Sequence, residues 1–271
     1  MWRRIILVFA LGLVPVAIFV GGCSLNSSNV FQGYLEGEYV YVAAPLGGAL
    51  TNLAVSRGDE VKTGQLLFEL ERGSETAALQ QAEKNLAQAN ANLVLSEAEF
   101  ARRLQLRKDQ GVISAEELDQ ARAQRDADQA QVEAQTAALD KARWSFDQKQ
   151  QFAPTNALVH DTLYRPGEWV AAGNPVVELL PPANIKVRFF VPQTALAHIK
   201  PGQTVSVTFD GGQRAYSATV NYISTQNEFT PPVLYNRENR AKLVYMIEAK
   251  FSPADAADLH PGQPVDVKLS S

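Results

Sequence analysis

The sequence is poor in the residues from which active sites are usually built. It has one cysteine, Cys23, and three histidines. His160, His198 and His260 are scattered, without ligand spacing and without a second cysteine to complete a metal site. They read as exposed loop residues, and a hydrolase or metalloenzyme would need a convergent set of nucleophile, base or ligands that is missing here. The expectation is a non-enzyme without catalytic residues, cofactor or metal. Surplus positive charge is missing too: 25 Lys and Arg stand against 29 Asp and Glu, a formal net charge of -4. With no basic stripe to neutralise phosphates, nucleic acid is not an expected partner. Between Ser74 and Gln110 there is neither proline nor glycine, so nothing in that stretch breaks a helix.

What is present is ordinary globular material: 271 residues, 46% hydrophobic and 20% charged, enough for two or three small modules. The N-terminus carries an export signal. Met1-Trp2-Arg3-Arg4 is a short positive segment, an apolar run follows from Ile5 to Val20, and Val20-Gly21-Gly22-Cys23 closes it. The solitary Cys23 after two small residues resembles a bacterial lipobox, which makes it the candidate lipidation site. The run from Ile5 to Gly22 is also about as long as the shortest membrane-spanning helices, so an uncleaved signal anchor is the other reading. Either one tethers the chain to a membrane outside the cytoplasm.

Residues 33–71 read as short strands and turns: Tyr39-Val40-Tyr41-Val42 is β-rich, and Arg57-Gly58-Asp59 and Thr63-Gly64-Gln65 mark turns. From Ser74 the composition shifts to Ala, Gln, Glu, Leu, Asn and Arg. Leu79, Ala82, Leu86, Ala89, Leu93, Ser96 and Phe100 recur at alternating three and four spacing, the narrow seam of a helix that packs on one partner. Gly111-Val112-Ile113 interrupts it, and Ser114-Ala115-Glu116-Glu117 restarts it with the spacing of a capping box. The second helix, with Leu118, Ala121, Val132, Leu139, Ala142 and Phe146 on its seam, is expected to run to about Gln150. Arg125 and Asp128 interrupt that seam and are expected to fix register. Two antiparallel helices of about 37 residues each would reach about 55 Å.

After the hairpin the β signals repeat. Ala44-Pro45, Arg57-Gly58-Asp59-Glu60-Val61, Gly64-Gln65 and Phe68-Glu69-Leu70 are matched by Ala153-Pro154, Arg165-Pro166-Gly167-Glu168-Trp169-Val170, Gly173-Asn174 and Val177-Glu178-Leu179. Each copy alone is too small to bury a sheet face, so the two are expected to pair into one sandwich, with the hairpin as an insertion. Strand candidates at Ile185–Val191, Val205–Phe209, Ala218–Ile223, Leu243–Phe251 and Val265–Leu269 suggest a small barrel. Pro201-Gly202-Gln203 and Pro261-Gly262-Gln263 use one turn device twice.

A membrane anchor, a split β domain with a helical hairpin inserted, and a barrel together resemble the HlyD-like membrane fusion proteins, the periplasmic adaptors of efflux and secretion systems. The resemblance covers nearly the whole exported chain, and in that family the split unit is a lipoyl-like (biotinyl-lipoyl) domain. It implies an α+β multi-module fold: a signal peptide or anchor over 1–22, a linker over 23–32, a lipoyl-like domain over 33–71 plus 153–181, a coiled-coil hairpin over 74–150 and a β-barrel over 183–271. Asn227-Glu228-Phe229-Thr230-Pro231-Pro232 and the run from Asn236 to Tyr245 are similar to the barrel signature of adaptors that serve ABC-type exporters. The short sequence after the last strand points the same way, leaving little for the further module of adaptors serving proton-driven pumps.

At the hairpin tip the family uses an Arg, a Leu four residues on and a Ser seven beyond that to dock on the outer-membrane duct. Here Arg103 and Ser114 keep the spacing, but Arg107 stands where Leu is expected. Leu104 and Leu106 are the neighbouring apolar candidates, and Gly111 belongs to the turn. The implied partners are an inner-membrane transporter of ABC type, an outer-membrane exit duct, the membrane itself and further copies of the chain in a ring. The implied place is the periplasm of a Gram-negative bacterium, anchored by preference to the inner membrane. A lipoyl or biotinyl carrier subunit is a rival, but it needs a modifiable Lys where the hairpin stands and the sequence has no Met-Lys-Met. A purely structural envelope coiled coil would not need two β modules.

Overall fold

The computed structural model describes residues 30–209, 214–229 and 243–269. Cys23 lies outside the described residues, as does the Thr230–Lys242 part of the barrel signature. Among the described residues no helix is long and apolar enough to cross a membrane.

The two copies of the repeat do combine into one sandwich. The first supplies β2 (Val40–Ala43), β3 (Gly48–Leu53), β4 (Glu60–Val61) and β5 (Leu66–Leu70). The second supplies β6 (Gln150–Phe152), β7 (Ala157–Thr162), β8 (Trp169–Val170) and β9 (Pro175–Leu180). One sheet runs β2-β9-β7-β4 and the other β6-β5-β3-β8, so each sheet takes two strands from each copy. The exchange extends to the turns. Gly58 N–H donates to Val159 O and Val159 N–H to Asp59 O, while Gly167 N–H donates to Leu50 O and Leu50 N–H to Glu168 O. Each copy's turn thus closes on the other copy's strand. The tight turns need left-handed backbone at Gly58 and Gly167, with φ of 92° and 96°, a region that glycine enters without steric cost. Phe68, Leu50, Leu67, Leu70, Leu179, Val159, Val170 and Val176 fill the core between the sheets.

The hairpin leaves from β5 and returns at β6, which are hydrogen-bonded neighbours. Its helices are α1 (Gly73–Gln110) and α2 (Ala115–Asp147). The expected seam is the packed one: Ala82, Ala89, Ser96, Leu118 and Ala121 are buried, and Leu79, Leu86, Leu93, Phe100, Val132, Leu139, Ala142 and Phe146 are half-buried. Small Ala at the fully buried points lets the helices approach closely. Of the two polar interruptions, Arg125 crosses to α1 and lies 4.7 Å from the Phe100 ring centroid. Asp128 stays on its own helix and accepts from Gln124.

The closed barrel runs β1-β10-β13-β12-β11-β14, with β10 (Ile185–Pro192), β11 (Thr204–Thr208), β12 (Tyr216–Phe229), β13 (Leu243–Phe251) and β14 (Pro264–Leu269). One boundary differs from expectation. The first strand, β1 (Val30–Gly37), pairs with β10 and β14, so residues expected to be linker and the start of the sandwich belong to the barrel. The physical reason is closure: without β1, strands β10 and β14 would each present an open row of backbone donors and acceptors. Phe31 and Leu35 enter the barrel core beside Val187, Phe189, Ile247 and Val267. The repeated Pro-Gly-Gln turns are geometrically equivalent. Gly202 N–H donates to Val220 O, and Gln203 O accepts in return from Val220 N–H; Gly262, Gln263 and Leu35 repeat the pattern.

Two connections join barrel and sandwich, and they are fastened to each other. Glu38 N–H donates to Asn184 O at 3.1 Å, and Asn184 Nδ2 donates to Glu38 O at 2.8 Å. His160, expected to be an exposed loop residue, is half-buried on β7. Its ring packs against Tyr39 with centroids 4.4 Å apart and the planes tilted by 38°, which supports this junction. His198 and His260 are exposed, as expected, and no group of three or more His, Cys, Asp or Glu with metal-binding geometry occurs among the described residues.

Candidate docking site at the hairpin tip

Helix α1 ends because Gly111 turns left-handed, with φ of 63°, and its N–H closes on Arg107 O at 3.2 Å. Three residues later Ser114 caps the start of helix α2 with a complete capping box. Ser114 Oγ accepts from Glu117 N–H at 3.1 Å, and the Glu117 carboxylate accepts from Ser114 N–H at 2.9 Å. The Ser114 amide and hydroxyl hold the Glu117 carboxyl below the ordinary carboxylate range. Only a few residues separate the two helix ends, and both ends are tied off, so the tip is a built turn.

Arg103 is not a free surface charge. Its Nε donates to Glu99 at 2.8 Å, four residues back, and an Nη donates to Glu117 O at 3.2 Å across the hairpin. That second bond clamps α1 to the first turn of α2, and Arg103 holds the Glu99 carboxyl below its ordinary value. Arg103 and Ser114 are therefore brought together through a shared neighbour, Glu117, and both have structural work. Arg107 is exposed, whereas Leu104 and Leu106 are half-buried. The large apolar side chain that stands out at the tip is Val112, 66% exposed. In the sequence Val112 lies within the interruption of the helical pattern, and its apolar side chain, two residues before an N-cap, is the one signal of this role.

Below the tip the seam opens into a groove lined by Leu95, Ser96, Glu99, Arg103, Gln124 and Asp128. Ser96 is buried at a seam position and returns its hydroxyl to Leu93 O, so it leaves room where a larger apolar residue would fill the gap. The groove offers hydrogen-bonding groups and one exposed leucine, Leu95.

Comparison with known proteins matches this architecture from both sides. A family profile described as "RND MFP, alpha-helical hairpin domain" matches residues 78–149, the greater part of the arm. The chain has the build of a membrane fusion protein. In structure it is similar to the membrane fusion protein Spr0693 from Streptococcus pneumoniae R6, with a TM-score of 0.66 and 21% identity, covering 89% of this chain and 98% of that one. MacA from Actinobacillus actinomycetemcomitans gives a TM-score of 0.69 at 18% identity, over 89% of this chain and 78% of that one. In sequence it is similar to the UPF0194 membrane protein of Enterobacter sp. (strain 638), 28% identical over all of this chain and 98% of the relative. The split sandwich, the inserted arm and the barrel are thus a shared fold.

Proposed function

We propose that the chain is a periplasmic adaptor of a Gram-negative bacterium, joining an inner-membrane transporter to an outer-membrane exit duct for efflux or secretion. The observation that carries this reading is the arm. Helices of 38 and 33 residues extend from a β body that contributes no arm residue to its own core, and the arm ends in a capped turn. Such an arm spends sequence on reach, about 55 Å for the longer helix. At the other end, Cys23 after Val20-Gly21-Gly22 is the proposed lipid anchor, with a retained signal anchor as its alternative.

The transporter is proposed to be of ABC type, on the resemblance of Asn227–Tyr245 to the barrels of such adaptors, although the matching hairpin profile carries RND in its description. The tip, through Val112 with Arg107, Gly111 and Ser114 around it, is the proposed contact with the duct. Several copies side by side in a closed ring would turn single arms into a conduit. The role is bridging, with no catalytic step. A lipoyl-type carrier is disfavoured at its reactive point: the lysine nearest the joining of the two halves, Lys149, is buried and bonded, so it presents no amine for modification. Affinity capture of the tagged chain from solubilised envelope tests the reading. It is expected to bring down an inner-membrane ATPase, and export should stop when the arm is deleted; capture of a proton-driven pump would correct the transporter class, and capture of no transporter would overturn the bridge.

A further inference from the structure

An arm that bridges two membranes has to point in a fixed direction, and the root of this arm contains a group that sequence alone reads as a solvated charge. Lys149, two residues past the end of α2, is 4% exposed. Its Nζ donates to Gly47 O at 2.8 Å, in the loop before β3, and lies 3.1 Å from the Glu75 carboxylate in the first turn of α1. Its own carbonyl accepts from Leu70 N–H at 2.8 Å, the last residue of β5. One side chain therefore ties three separate pieces of chain: the sandwich loop, the start of the outgoing helix and the end of the returning one.

Gly47 supplies the carbonyl that accepts from that ammonium, and Gly48, having no side chain, leaves the room for it. A Cβ on Gly48 would stand 3.2 Å from Lys149 Nζ and 3.4 Å from Leu70 Cβ, so any side chain there competes with the lysine for its place. Glu75 is suited to its part: burial pushes its carboxyl up, but hydrogen bonds from Ser74 and Lys149 outweigh this and hold it below the ordinary range. The root is further braced by Arg72, whose guanidinium lies 4.7 Å from the Phe146 ring centroid and 3.5 Å from Glu69. Burying a lysine is costly unless the charge is paired and hydrogen-bonded. Neither sandwich core nor helix seam needs a cation at this point, since the core is complete without it.

We infer that Lys149, held between Gly47 O and Glu75, is a positioning residue that sets the direction in which the hairpin leaves the sandwich. The inference rests on the adaptor reading for its purpose, but the geometry it asserts can be measured without any partner. The exported chain with Cys23→Ser, spin-labelled at Lys62→Cys on the sandwich and Ala98→Cys on the arm, gives the distribution of body-to-arm distances by pulsed electron resonance. Lys149→Met keeps the aliphatic stem and removes the charge; it is expected to broaden and shift that distribution while helix content and the β unfolding transition stay close to those of the parent. If Lys149→Met does not fold, Glu75→Gln carries the test, with the same broadening expected. A distribution of unchanged mean and width in the variant that folds would overturn the inference. Loss of export with an unchanged distribution would count against this residue's positioning role and leave the adaptor reading standing, whereas a broadened distribution with normal export would support the joint and count against the need for a directed arm.

Discussion

Ser114 carries two roles that substitution can separate. The capping box gives Ser114→Ala an expected cost of about 1 kcal/mol in hairpin stability, and Ser114→Asn should restore it, because both side chains accept the N-terminal amide bond. Thermal unfolding followed by helix signal checks this; if Ser114→Asn exports normally, the hydroxyl has only its structural role. Glu248 sets a pH dependence. It is 9% exposed and accepts from Lys186 and Arg188 at 2.8 Å each. Burial pushes its carboxyl up, but the two cations outweigh burial and hold it below the ordinary value. A carboxyl depressed by folding contributes stability that is present above the ordinary carboxylate range and lost as pH falls through its lowered value. Glu248→Gln is therefore expected to destabilise the barrel at neutral pH by about 1–3 kcal/mol and to flatten the loss toward acid, read by urea unfolding over a pH series. Parallel pH profiles for parent and variant would remove Glu248 from the acid response. Residues such as Lys149 were illegible in sequence for a definite reason: a lysine near a helix end looks solvated, and its burial depends on Gly47 and Gly48, about a hundred residues earlier.

At the scale of elements, the hairpin was legible because its signal is local. Apolar spacing, an uninterrupted stretch without breakers and one capping box all lie within the segment they describe, and seam, turn and cap stand where the spacing put them. The split sandwich was legible through repetition: two copies of one turn pattern imply one set of contacts used twice. Strand β1 was not, because its partners lie more than a hundred residues away in β10 and β14 and nothing local announces them. Gly33 was the available clue. A Cβ there would stand 2.4 Å from Arg188 O, so the glycine marks a close approach of two strands. The independence of arm and body is testable. Replacing residues 74–147 by a short Gly-rich turn joins β5 to β6, which already pair, and removes no member of the sandwich core. The product is expected to be soluble, β-type by circular dichroism and cooperative in unfolding; an unfolded product would show that the two halves need the arm to find each other.

For the whole molecule, the proposed bridge needs both ends of the chain occupied. The sandwich and barrel form a body whose two connections are fastened through Glu38, Asn184 and the Tyr39–His160 contact, and the arm extends from the sandwich through a root braced by Lys149 and Arg72. The fold class could be read from the order of modules. The identity of the exposed group at the tip could not, because whether a tip leucine or Val112 faces outward depends on how the last turn of α1 packs on α2, set by the Arg103 bond to Glu117 O. The proposed bridge makes one demand above all: the tip must touch a component of the opposite membrane while the chain is anchored at its own. A photoreactive amino acid in place of Val112, activated in living cells, measures this directly. The account predicts a crosslink to an outer-membrane exit duct protein that disappears when the same group is moved to exposed Gln88 in the middle of α1. Crosslinks from position 112 to inner-membrane proteins alone, or none in cells that export normally, would contradict it.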